Sequence, residues 1–193
     1  MQPPPRKLDP LAAFLTYLVP GLGQVMQGRI GKGVLYFVCL YGLFFYGLRL
    51  GQWQNVWLAD TKNLPEVQVP RVGELPGLFK DLNYRKEFIG QFWIGVAAWP
   101  AVLQYASTEP IPSPARDDGD WDPKPHRVFG KYMQAPSETH LNDLQRDGNK
   151  TWDLGWVFTV IAGALNVLVI YDALAGPMVR EDADAAPTPG GAK

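Results

Sequence analysis

Three stretches of this sequence have residue types that could do chemistry. The first is "GRIGKG", residues 28–33, where Gly31 and Lys32 stand as they would in a loop that cradles phosphate. Such a loop needs Ser or Thr directly after the lysine, to hold magnesium, at the start of a soluble helix. Here Gly33 follows, and the residues beyond it are apolar, so the sequence argues against nucleotide binding. The second is "DDGDWD", which offers Asp118, Asp120 and Asp122 at positions 1, 3 and 5 of a calcium loop. Pro123 then takes the sixth position, which needs glycine, and Phe129 the twelfth, which needs glutamate. The third is the pair His126 and His140, with no cysteine near them and no HExxH frame, so zinc is not expected. No Ser-His-Asp set or carboxylate pair stands out in the apolar segments. The expectation is a protein that is not an enzyme and uses no cofactor or metal.

The most informative polar residue lies inside an apolar run. In "LGWVFTVIAGALNVLVIY", Gly155, Thr159 and Gly163 recur every four residues and make a groove of small side chains. Another helix can pack closely into such a groove. Asn166 follows just beyond it, and an amide surrounded by lipid needs a partner on a neighbouring helix. The structural expectation for Asn166 is inter-helix glue. The functional alternative is a solute or ion site that uses Asn166 together with a kink at Pro100. Asp172, at the edge of the same run, reads as a boundary residue or a partner for a nearby arginine.

Positioning these residues requires elements, and the charge pattern supplies them. Net charge is −1, which gives no reason to expect nucleic acid. Charges are nearly absent from 10–28, 33–48, 88–108 and 154–171, and they crowd the segments between. That blocking predicts an all-α integral membrane protein with four transmembrane helices. The spans are Pro10 to Met26, Gly33 to Leu50, Phe88 to Ala106 and Leu154 to Tyr171. Trp53, Trp57, Trp152, Trp156 and Tyr171 mark the interfaces. Pro100 predicts a kink in the third span. Gln91 and Gln104 read as interfacial, and Cys39 as a buried, inert thiol. Gly47 and Gly51 form a GxxxG that Arg49 interrupts, so they make a weak dimer motif.

The resulting organisation is a tail (1–8), a two-helix hairpin (9–51), a loop with an interfacial helix around Leu75 to Leu82 (52–87), the third span (88–107), a Pro-rich polar loop (108–151), the fourth span (152–176) and a second tail (177–193). The tails read as disordered. The polar loop carries a short helix signal, with Ser137 as cap and Gly148 as stop. In a four-span chain the two long loops lie on opposite faces and cannot share a core.

Residues 19–33, "VPGLGQVMQGRIGKG", join the first two spans. The stretch has some features of a signal-peptide cleavage region, with Arg6 and Lys7 ahead of an apolar core. Asp9 and Pro10 interrupt that pattern, so the start is expected to be retained. A hairpin turn fits better. Pro20 and Gly21 break the first helix, and Gly23, Gly28, Arg29 and Gly33 let the chain turn and the helices approach. On these six residues the front of the chain resembles the two-transmembrane-helix domain, although Met26 stands where that domain has an aromatic. With "DLGWVFTVIAGALNVLVIYDALAGP", residues 8 to 177 resemble a family of uncharacterised bacterial four-span inner-membrane proteins. The resemblance implies architecture and an inner-membrane location, with no assigned activity.

The function expected from the sequence is therefore a membrane module that packs helices or binds partners. Its partners are the lipid bilayer and either its own copies or other membrane proteins. Both termini fall on one side. Counting Lys and Arg near the four span ends leans that side toward the cytoplasm.

Overall fold

The computed structural model describes residues 8–58, 82, 85–107, 127–136, 138–147 and 150–176. Within them the chain is all-helical. Helix α1, Pro10–Leu18, starts where the Asp9 carboxylate accepts the Ala12 N–H at 3.0 Å and proline fills the first position. It stops because residue 20 is proline, which has no N–H to give the carbonyl of Thr16. Gly21 then takes a left-handed φ of 85°, and α2, Leu22–Met26, folds back along α1. The contact is close: a β-carbon on Gly23 would lie 2.0 Å from the Ala12 carbonyl oxygen. Gly28, at φ 79°, makes a second turn into α3, Ile30–Leu50.

The stretch at 10–26 is thus no continuous span. At about 1.5 Å per residue, α1 rises only about 14 Å before the chain reverses, and Asp9 and Gln27 end side by side, bonded at 3.2 Å. The glycine-rich stretch 19–33 holds two turns around a short helix, where the sequence reading had one.

The next helical segment also breaks. Helix α4, Glu87–Phe92, runs into a 3-10 turn at Gly95–Ala98, and α5 is Trp99–Ser107. The break comes at Gly95, with φ 86°, and not at the expected Pro100. Pro100 sits in the first turn of α5, where the missing N–H has no helical partner to lose. Helix α4 descends along the last helix, α7 (Lys150–Ala175), so that Gly90 meets Val160 and Gly163. Helix α5 then climbs back, and the Gln104 amide donates to the Tyr132 carbonyl. Tyr132 stacks near Trp53, at the end of α3, with ring centroids 6.0 Å apart.

Helix α6, Glu138–Arg146, matches the expected helix signal, and α7 spans Lys150–Ala175. The expected cap Ser137 and stop Gly148 lie outside the described residues, as do the acidic run, His126, the tails and the helix around Leu75 apart from Leu82. Among the described residues, two helices are long and apolar enough to cross a membrane, α3 and α7. They are antiparallel: Gly47 meets Gly155 at one end, and Arg29 meets Asp172 at the other. Helices α1 and α4 pack on α7 from opposite ends, and the core includes Leu40, Phe44, Leu48, Ile94, Ala98 and Ala162.

This arrangement corrects the expectation about the loops. The Met133 N–H donates to the Trp53 carbonyl at 2.7 Å, and Val56, Leu58 and Met133 join one buried cluster. Segments following α3 and preceding α6 therefore share an end of the molecule. They do so because the segment between them turns back at Gly95. Cys39 is exposed on α3, not buried.

The Asp9 cap gives a first expected result. Asp9→Ala should cost about 1 kcal/mol, the usual value of an N-cap. The Ala12 backbone N–H and the Gln27 side chain hold the Asp9 carboxyl below its ordinary value. Its contribution is thus present at neutral pH and is lost as pH falls through the carboxylate range. Melting temperatures of the two proteins should differ at pH 7 and converge in acid.

Candidate functional site

The four expected groove residues all lie on one face of α7 and are all buried. Their neighbours come from the same chain. A β-carbon on Gly155 would lie 2.5 Å from the Gly47 oxygen and 2.7 Å from the Gly51 nitrogen. One on Gly163 would lie 1.9 Å from the Gly90 oxygen. Gly47 and Gly51 thus fill the Gly155 end of the row and Gly90 of α4 fills the Gly163 end, with Arg49 left on the exposed side. Spacing alone showed the groove; what occupies it depends on long-range packing.

Asn166 is fully buried. Its Nδ2 donates to the Trp93 carbonyl at 2.8 Å and to the Thr16 carbonyl at 3.4 Å. Both acceptors belong to interrupted helices. Thr16 lost its donor to Pro20, and Trp93 stands at the break between α4 and the 3-10 turn. One amide therefore serves the tips of both folded-back pairs. Gly95 lets the tips touch, since a β-carbon there would lie 1.9 Å from the Tyr17 oxygen and 2.5 Å from the Leu18 oxygen.

Further polar groups line the same face of α7. Gln91 donates to the Thr159 hydroxyl at 2.8 Å and to the Asn55 carbonyl at 3.1 Å. The Thr159 hydroxyl in turn donates a hydrogen bond to the Trp156 carbonyl at 2.8 Å. Asn55 donates to the Gly47 carbonyl, and Arg85 to the Asn55 carbonyl, its guanidinium 3.8 Å from the Trp57 ring centroid. Gln91 and Gln104, expected at interfaces, are both buried. Of this network the sequence singled out Thr159, Gln91, Gly47 and the tryptophans, each in another role, and it did not point to Asn55 and Arg85, because they sit in polar segments where such residues are ordinary.

At the other end of α7, Asp172 accepts from Arg29 at 2.9 Å, from Lys32 at 2.5 Å and from Gln24 at 3.2 Å. Gln24 also donates to the Val169 carbonyl at 2.9 Å and meets the Thr16 hydroxyl at 3.1 Å. The arginine partner expected for Asp172 is thus Arg29, from the turn. Of the other turn residues, Gly21 and Gly33 pack on each other, a β-carbon on Gly21 lying 2.1 Å from the Gly33 oxygen. Gly28 stands in open space and supplies only its positive φ.

Among the described residues, no group of three or more His, Cys, Asp or Glu side chains could hold a metal ion. Residues 11–185 match the model of a family described as a family of unknown function (DUF6677). No curated protein and no solved structure matches the chain.

Proposed function

The chain belongs to the DUF6677 family, a family of unknown function, and we propose that it works as a non-enzymatic inner-membrane protein that binds partners. In this reading α3 and α7 cross the bilayer, and the pairs α1–α2 and α4–α5 enter from opposite faces without crossing. Irregular backbone at membrane depth is tolerated where protein buries it, and here Asn166 and Gly95 meet that condition. Exposed Leu35, Val38 and Leu168 face lipid. The single observation behind the reading is that the small-residue groove is filled from within. Self-association through Gly155, Thr159 and Gly163 is thereby blocked, which leaves the polar loop end for partners.

The alternative, transport using Asn166 and a kink at Pro100, loses its second half because Pro100 opens a helix instead of bending one. Two crossings also change the charge count. Counted within about 15 residues of the helix ends that enter the membrane, Arg6, Lys7, Arg29, Lys32 and Arg180 fall on the terminal face, against Arg49, Lys62, Lys80, Arg85, Lys86, Arg116, Arg146 and Lys150 on the loop face. The excess now makes the loop face cytoplasmic, the reverse of the orientation argued from four crossings.

The test is photo-crosslinking in native membranes. A probe at exposed Arg127 or Lys131 should trap a discrete protein, and one at Leu35 or Leu168 should trap lipid. Lipid or nothing at both loop positions would count against partner binding there.

A further inference from the structure

The junction where the two folded-back pairs meet is rich in acceptors and poor in donors. Thr16, Tyr17 and Leu18 are the last residues of α1, and their carbonyls form its negative end. The Tyr17 and Leu18 oxygens accept no backbone hydrogen bond among the described residues and face the α-carbon of Gly95. Trp93 adds a fourth carbonyl, and the Asn166 side chain holds it and Thr16 together through Nδ2. The other end of that amide, Oδ1, is buried with no hydrogen-bond partner. Because both of its Nδ2 contacts are carbonyls, the amide cannot be flipped to cure this. The Thr16 and Trp93 carbonyls therefore draw on one amide group, the Tyr17 and Leu18 oxygens have no backbone donor, and the fully buried Asn166 keeps an unpartnered oxygen beside them.

A buried amide oxygen without a partner is costly unless a donor or a positive group satisfies it. We propose that the junction binds one monovalent alkali cation, sodium being the probe, through Asn166 Oδ1 and the carbonyls at the end of α1. The donors select the class of ion. All are neutral oxygens, which suit a hard cation of low charge, while a divalent ion would need carboxylates. Ends of interrupted helices are known to supply such carbonyl ligands. The inference goes beyond partner binding and does not depend on it, since a resident ion can pin the two tips in a protein that transports nothing.

The experiment is thermal unfolding of the purified chain in detergent, in sodium chloride or choline chloride at equal ionic strength. Sodium should raise the melting temperature by about 3 °C or more, and the rise should saturate, as binding to the folded state requires. Equal melting in sodium, potassium, lithium and choline salts would overturn the proposal and leave the junction to water. The site is located with Asn166→Lys, whose tethered ammonium takes the ion's place: its melting should no longer respond to sodium. Should that variant fail to fold, Asn166→Ser keeps a donor but withdraws the amide oxygen, and should need at least tenfold more sodium. A folded variant at position 166 that responds like the native chain would place the ion elsewhere and sink the assignment. Partner crosslinking at Arg127 reads out separately, so the two readings can fail independently.

Discussion

Gly163→Ala should destabilise the protein by about 3 kcal/mol, the upper part of the usual range for overpacking. The added methyl meets the Gly90 carbonyl oxygen at 1.9 Å. Backbone cannot rotate away as a long side chain can, so α4 must lift from α7, and the Trp93 bond to Asn166 is stretched with it. Gly95→Ala should be at least as severe, because its β-carbon meets the Tyr17 oxygen at 1.9 Å and its φ of 86° is unfavourable for any residue with a side chain. Gly42→Ala is the control. Gly42 lies in α3 with nothing within 4 Å, so alanine there should be neutral or stabilise by up to about 1 kcal/mol through helix propensity. Melting of the three variants in one detergent checks the order. A Gly163→Ala protein as stable as Gly42→Ala would mean that α4 does not rest on α7.

Asn166→Leu should cost about 2–3 kcal/mol. Hydrogen bonds between membrane helices average only about 0.6 kcal/mol, because the loosened state finds other partners. That average suggests a mild effect when the amide is taken as simple inter-helix glue. The geometry argues for more. The Thr16 and Trp93 carbonyls both lack a helical donor, and leucine would bury them unpaired, at a cost of about 1–3 kcal/mol for such a group. The loss should appear as reduced melting temperature and as faster amide exchange at the tips of both folded-back pairs. Unchanged exchange near Gly95 would contradict the role given to Asn166.

These two sites show how far the sequence could be read. Helices α3 and α7 were legible because their apolar blocks, 33–50 and 154–171, run without a proline to interrupt them. The row Gly155, Thr159, Gly163 was legible as a packing face from its spacing alone. The segments 10–26 and 88–106 misled because mean hydropathy is the same for one crossing helix and for two short helices folded together. The clue in the first was the place of Pro20 and Gly21, which sit inside the apolar run and not at its end. The second carried no such clue. Gly95 looks like any glycine in an apolar helix, and what sets it apart, a positive φ with the α1 carbonyls in the space of a side chain, depends on residues about 75 positions away. Once the second pair folds back, Trp53 and Met133 can meet, which no reading of the loops by themselves would suggest.

In the proposed topology the chain crosses the membrane twice, with both long loops on one face. Cysteine labelling tests it most directly, in a Cys39→Ser background with single cysteines at Thr61, Ser113, Gly31 and Thr188. Gly31 stands in open space, so a side chain there is tolerated. An impermeant maleimide added to sealed, oriented vesicles should label Thr61→Cys and Ser113→Cys from one face, and Gly31→Cys and Thr188→Cys from the other. Four crossings would instead pair Thr61 with Thr188 and Ser113 with Gly31, and that pattern would contradict the account.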